Sequence, residues 1–124
     1  MQLYERVDIA LDAYSYNGTT TTCEALWMGT PVVTLRGELP ASRVSHSLLT
    51  AAGLGELAAA TPDEFVATAA RLAQDRDRLA SLHQSLRARV LSMELGATRG
   101  LEPAIEAALR GMWNRYVAEQ GGRA

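Results

Sequence analysis

A single cysteine, Cys23, excludes an internal disulfide framework. Two histidines are too few to suggest a metal cage. No apolar run is long enough to cross a bilayer, and the opening MQLYERVD lacks the apolar segment of a signal peptide. Acids and bases nearly balance, with a formal net charge of −2. No basic excess points to nucleic acid or to a membrane surface. A cytoplasmic location is the default expectation. What is present is ordinary for a globular protein: 124 residues, 48% hydrophobic and 21% charged. That is too apolar for a disordered chain and sized for one domain or part of one.

Along the chain, residues 7–12 (VDIALD) predict a buried strand and residues 13–19 (AYSYNGT) a loop turning on Asn17-Gly18. Residues 20–28 predict a helix, with Gly29 placed for a left-handed C-cap and Pro31 beyond it. The β-branched run 31–35 (PVVTL) predicts a second strand. A helix over 41–52 follows, with Ser42 as candidate N-cap and Gly53 as its stop, then a weak third strand over 55–59. Thr61-Pro62-Asp63-Glu64 is a strong helix start: a Thr cap, Pro at the first position and Glu three after the cap. Asp75 opens a further helix with Leu79, Leu82, Leu86 and Val90 on one stripe. A break over 92–100 precedes a last helix, with Pro103 near its start and a stripe of Ile105, Leu109, Met112 and Tyr116. The tail 120–124 is expected to fray. Strand–helix alternation argues for a doubly wound α/β sheet over 1–73 and terminal helices over 75–118. Three short parallel strands cover little core. The expectation is therefore that Met1 is a truncated start or that a partner supplies further strands.

Ligands of doubly wound folds bind beyond the C-terminal ends of the strands. That singles out NGTTTTCEALWMGTPVV, which leaves a strand, turns on Gly18 and enters a helix through four threonines. A helix start offers unpaired N–H groups and a positive dipole end, suited to phosphate. Four consecutive threonines are a poor choice for helix propensity alone. Thr20 and Thr21 are therefore candidate phosphate ligands. Glu24, one turn on, can accept hydrogen bonds from a ribose. Alternatively, Thr21 and Glu24 form a capping box with no ligand role. Among the rest, Arg43 reads as a surface salt-bridge residue or a phosphate contact. His46 reads as packing or solvated and His83 as surface. Cys23 reads as a small apolar residue at a helix start, which lowers thiol pKa. Trp27 and Trp113 read as core, and DRDRLASLHQSLRARV as a solvated helix face.

The stretch VDIALDAYSYNGTTTTCEALWMGTPVVTLRGELPASRVSHSLL resembles the C-terminal catalytic region of the O-GlcNAc transferase/SPINDLY family, glycosyltransferase family 41. The likeness continues weakly through LEPAIEAALRGMWNRY, which looks like the family's terminal helix. The resemblance implies the C-terminal half of a GT-B donor-binding domain: a partial Rossmann-like parallel sheet followed by long helices. It implies a UDP-GlcNAc-type nucleotide-sugar donor, a protein acceptor and no metal or cofactor. By position, Thr20 and Thr21 match threonines that contact the donor diphosphate, and Glu24 an acidic position that binds the ribose. Thr19, where animal enzymes have His, and Gly18 would face the donor sugar. No catalytic residue is carried over. The family's leaving-group lysine, uracil contacts, acceptor domain and TPR array would lie upstream, and this chain has no lysine. A fragment of that kind is expected to be inactive alone. The alternative is a non-catalytic nucleotide-binding or subunit-interaction module that works with a partner chain.

Overall fold

A computed structural model describes residues 3–93 and 101–121 of the chain. Most of the break expected over 92–100, and the end of the tail, lie outside the described residues. Two units are formed, Met1–Met93 and Glu94–Ala124.

In the first unit the three-stranded sheet is entirely parallel, in the order β1 (Ala10–Leu11), β2 (Val32–Leu35), β3 (Ala58–Ala59). Register pairs Ala10 with Val32 and Thr34 with Ala58. Val32, Val33 and Thr34 are buried in succession. Because side chains alternate faces along a strand, both faces of β2 are covered, as parallel sheets require. The cover comes from α1 (Thr20–Trp27), α2 (Val44–Ala51) and α3 (Pro62–Gln74), and α4 (Arg76–Ser92) packs on α1 and α3. Leu26, Leu49, Leu72, Leu82 and Leu86 form the core with these valines. The strand–helix alternation expected from the sequence is thus present.

Helix ends follow local chemistry. After α1, Gly29 N–H donates to Leu26 O at 3.1 Å and Thr30 N–H to Ala25 O at 2.8 Å. This is a Schellman ending, with Gly29 at φ 87°. The same pair of bonds ends α2, from Gly53 to Thr50 and from Leu54 to Leu49. Thr61 Oγ accepts from Glu64 N–H at 3.2 Å while Glu64 Oε2 accepts from Ala60 N–H at 2.8 Å. The Glu64 carboxylate therefore reaches one residue before the cap. Asp75 caps α4 through Arg78 N–H at 2.9 Å.

Three expectations shift. The strand over 7–12 contracts to β1, whose only partner among the described residues is β2; Tyr4–Arg6 before it is a short 3-10 turn. The second helix starts at Val44, not at 41. Ser42 lies in a 3-10 turn over Pro40–Ser42, and its hydroxyl donates back to Leu39 O at 2.9 Å. Residues 55–57 form another 3-10 turn, leaving two residues for β3.

In the second unit, α5 (Leu101–Gly121) carries the expected stripe of Ile105, Leu109, Met112 and Tyr116, all exposed. Trp113, expected in a core, is 63% exposed. The ring of Trp113 lies 5.9 Å from that of Tyr116. Arg110 and Glu106 pair one turn apart at 2.5 Å.

The two Schellman glycines are expected to differ in cost. At Gly53, φ is 69° and an added Cβ meets nothing nearer than Arg89 Nη1 at 3.6 Å. Alanine there pays the left-handed conformation alone, about 1–2 kcal/mol. At Gly29 the added Cβ would also stand 2.8 Å from the carbonyl oxygen of His83 on α4. Gly29→Ala should therefore lower the urea midpoint further than Gly53→Ala. Equal midpoints would contradict the close approach of α4 to this turn.

Candidate functional site

The C-terminal end of β1 runs directly into the loop over 13–19, and Asp12 organises that loop. Its Oδ1 accepts from Ala13 N–H at 2.9 Å and from Gly18 N–H at 2.8 Å. Its Oδ2 accepts from the Thr34 hydroxyl of β2 at 2.7 Å. Asn17 is 1% exposed. Its backbone N–H reaches Ala41 O at 2.9 Å and its side-chain amide reaches Ala13 O at 3.1 Å. The carbonyl of Gly18 accepts two hydroxyls, Thr22 Oγ at 3.0 Å and Ser45 Oγ at 2.9 Å. Those two hydroxyls are themselves 2.9 Å apart. A Cβ on Gly18 would collide with Thr21 Oγ and Thr22 Oγ. Glycine is needed here for close approach.

This frame divides the four threonines. Thr22 is buried and committed to Gly18 and Ser45. Thr19, Thr20 and Thr21 are exposed. They line an open groove of about 580 Å³ together with Asp12, Tyr16 and Gly18. Cys23 N–H donates to Thr19 O at 3.0 Å. The N–H groups of Thr20, Thr21 and Thr22 precede it and are the orphan donors of a helix start. The N-cap is Thr19, and its side chain makes no cap hydrogen bond. The capping box considered for Thr21 and Glu24 is therefore not formed. Thr21 lies inside the first turn, where its carbonyl accepts from the Tyr4 hydroxyl at 3.3 Å.

Glu24 is half-buried and does not line the groove. It sits four residues after Thr20 and three after Thr21, on the same side of α1. The groove thus gathers Gly18, Thr19, Thr20 and Thr21, with Glu24 one turn further along. Asp12, Thr22 and Ser45 escaped the sequence reading. Asp12 alone carried a usable signal, an acid at the C-terminal end of a predicted strand.

The remaining candidates lie elsewhere. Arg43 is exposed and forms no ion pair among the described residues. His46 is half-buried. His83, expected at the surface, is also half-buried, and its Nε2 is shielded without a partner among the described residues. Trp27 is half-buried under the Arg87 guanidinium, 4.7 Å from the ring centroid. Arg78 of α4 pairs with Glu56 at 2.6 Å. Among the described residues no cluster of metal-ligating side chains occurs, and no helix is long and apolar enough to cross a membrane.

Residues 4–100 match the family model of Glycosyl transferase family 41. The chain is 46% identical over 116 residues to a protein of Hordeum vulgare named probable UDP-N-acetylglucosamine–peptide N-acetylglucosaminyltransferase SPINDLY, covering 94% of this chain and 12% of that protein. It is 40% identical over 109 residues to the UDP-N-acetylglucosamine–peptide N-acetylglucosaminyltransferase of Caenorhabditis elegans, covering 88% of this chain and 10% of that one. A solved mutant of the O-GlcNAc transferase of Thermobaculum terrenum superposes with a TM-score of 0.79 at 43% identity, over 90% of this chain and 22% of that one. The chain therefore spans about an eighth or less of the length of these curated relatives.

Cys23, in the first turn of α1, is not activated by the helix start. Partial burial of the thiol, and secondly the Glu24 carboxylate, push its pKa above the ordinary value. The thiolate is the reactive form, so alkylation by iodoacetamide should be slow at pH 7 and accelerate only in alkaline buffer. Glu24→Gln should shift the rate profile towards lower pH, because the charge that opposes the thiolate is gone. Rapid alkylation near neutrality, followed by mass spectrometry, would contradict this electrostatic picture.

Proposed function

The chain belongs to glycosyl transferase family 41, and from that premise we propose that it is the donor-binding segment of an enzyme that glycosylates proteins. The donor in this reading is UDP-GlcNAc and the acceptor a protein side chain. The relatives' names state that donor and a peptide acceptor. The observation that carries the reading is the division of the threonines. Three stand exposed around free N–H donors at a helix start, and the fourth is spent on the fold.

The diphosphate lies against the start of α1, where the N–H groups of Thr20, Thr21 and Thr22 and the dipole favour an anion. The hydroxyls of Thr20 and Thr21 add donors to the same phosphate oxygens. The ribose lies one turn along α1, where the Glu24 carboxylate accepts its hydroxyl hydrogens. The donor sugar extends the other way, towards Thr19 and Gly18. Sugar transfer leaves negative charge on the departing diphosphate. Donors fixed before the reaction stabilise that charge without reorganising. Holding the donor in one orientation supplies the rest of this segment's contribution.

Replacing Glu24 by Ala in the intact enzyme should weaken UDP binding by roughly 1.5–3 kcal/mol, the scale of a hydrogen bond to a charged group. Thr21→Ala should lose less, since the backbone donors remain. Neither change should lower the melting temperature much, because neither side chain caps α1. Calorimetric titration with UDP and thermal melting of the same two variants test this. Lowered melting with intact affinity would make both residues supports of the helix and overturn the assignment.

A further inference from the structure

We propose that Asp12 is a positioning residue for donor binding, aiming the start of α1 through the Gly18 peptide; the inference rests on the donor-site reading above. Three donors from two parts of the chain converge on its carboxylate: Ala13 N–H and Gly18 N–H from the loop, and the Thr34 hydroxyl from β2. Thr34 is fully buried and fixed in register opposite Ala58. The carboxylate therefore ties the loop to the central strand of the sheet. Beyond it the chain of contacts continues, since Gly18 O holds Thr22 of α1 and Ser45 of α2.

Asp12 lines the same groove as Thr19, Thr20 and Thr21. An acid beside a site for phosphate would by itself weaken that site by like-charge repulsion. Its presence is explained by what it holds. All three donors spread its charge, and the Gly18 peptide that it fixes lies two residues before the first N–H of the helix. With Asp12 removed, Gly18 N–H loses its acceptor, and one side of the grip on this residue is gone. The other side, Thr22 and Ser45 on Gly18 O, remains and keeps α1 attached to α2. The expected failure is therefore misorientation of the threonine donors with the fold retained. Asparagine at this position keeps a carbonyl oxygen for both loop N–H groups and offers its amide to the Thr34 oxygen.

The test uses the intact enzyme, titrated with UDP and assayed with UDP-GlcNAc and an acceptor peptide. Asp12→Ala should raise the Kd for UDP and the KM for the donor about tenfold, the scale set by losing a charge-assisted hydrogen bond. The KM for the acceptor peptide should stay put, which general loosening of the protein would not produce. Asp12→Asn should restore donor KM to within about threefold of the parent, as expected when only the Thr34 bond changes character. Should Asp12→Ala fail to fold, Thr34→Val cuts the tie to β2 alone, and donor KM should still rise with acceptor KM unchanged. If Glu24→Ala and Thr21→Ala weaken UDP binding while the Asp12 and Thr34 variants bind normally, the positioning role is overturned and the donor site stands. If none of the four changes UDP affinity, the donor-site reading falls and the inference falls with it.

Discussion

Gly18 is held through both of its peptide groups, and the arrangement of the groove depends on it. Asp12 takes its N–H, while Thr22 and Ser45 take its carbonyl. Through these contacts one residue joins β1, β2, α1 and α2. The close packing of Thr21 and Thr22 leaves no room for a side chain, so glycine and grip are parts of one constraint. A loop leaving a parallel strand is normally the mobile part of such a fold. Here Tyr14, Ser15 and Tyr16 stay exposed. Asn17 after them is buried and bonded to Ala41 and Ala13.

Signals that act over a few residues were legible in the sequence. Gly29 and Gly53 end their helices as left-handed caps, and Thr61, Pro62 and Glu64 start one. The run PVVTL supplied the central strand, and the alternation of elements supplied the parallel sheet. Contacts between distant residues were not legible. Thr22 looks like its three neighbours until Ser45, 23 residues away, buries its hydroxyl. Asp12 looks like a strand-end acid until Thr34, 22 residues on, meets it. The capping-box pattern at Thr21 and Glu24 was a real local signal that lost, because the N-cap is Thr19, two residues before Thr21. The start of α2 was displaced by a local competitor, the Ser42 hydroxyl turning back on Leu39.

The electrostatics of this region reward counting every group. A helix start lowers thiol pKa in general, yet at Cys23 burial and Glu24 act the other way and prevail. Three orphan N–H groups at the same helix start favour an anion, yet two carboxylates lie nearby. They differ in availability. Asp12 is engaged by three donors, whereas the Glu24 carboxylate has no hydrogen-bond partner among the described residues. In the proposed donor-site reading, an acid with free lone pairs, half-buried one turn from the helix start, suits a hydroxyl-rich group and repels a second anion. Under that reading the pair sets a direction along α1, with anion first and hydroxyls after.

Helix α1 is only eight residues long, too short to be stable in isolation, and it opens with three threonines of modest propensity. Its stability must come from tertiary packing. The second turn provides it: Ala25 and Leu26 are each 1% exposed in the core, and Trp27 lies under Arg87 of α4. The two turns therefore divide the work. Residues that would stabilise the first turn locally, such as alanine or leucine, would remove the hydroxyls from the groove. Threonines in the second turn would lose the apolar contacts that keep the helix in place. The sequence TTTCEALW satisfies both demands because a helix of two turns presents its start to the groove and its end to the core. The Gly18 grip then decides where that start points.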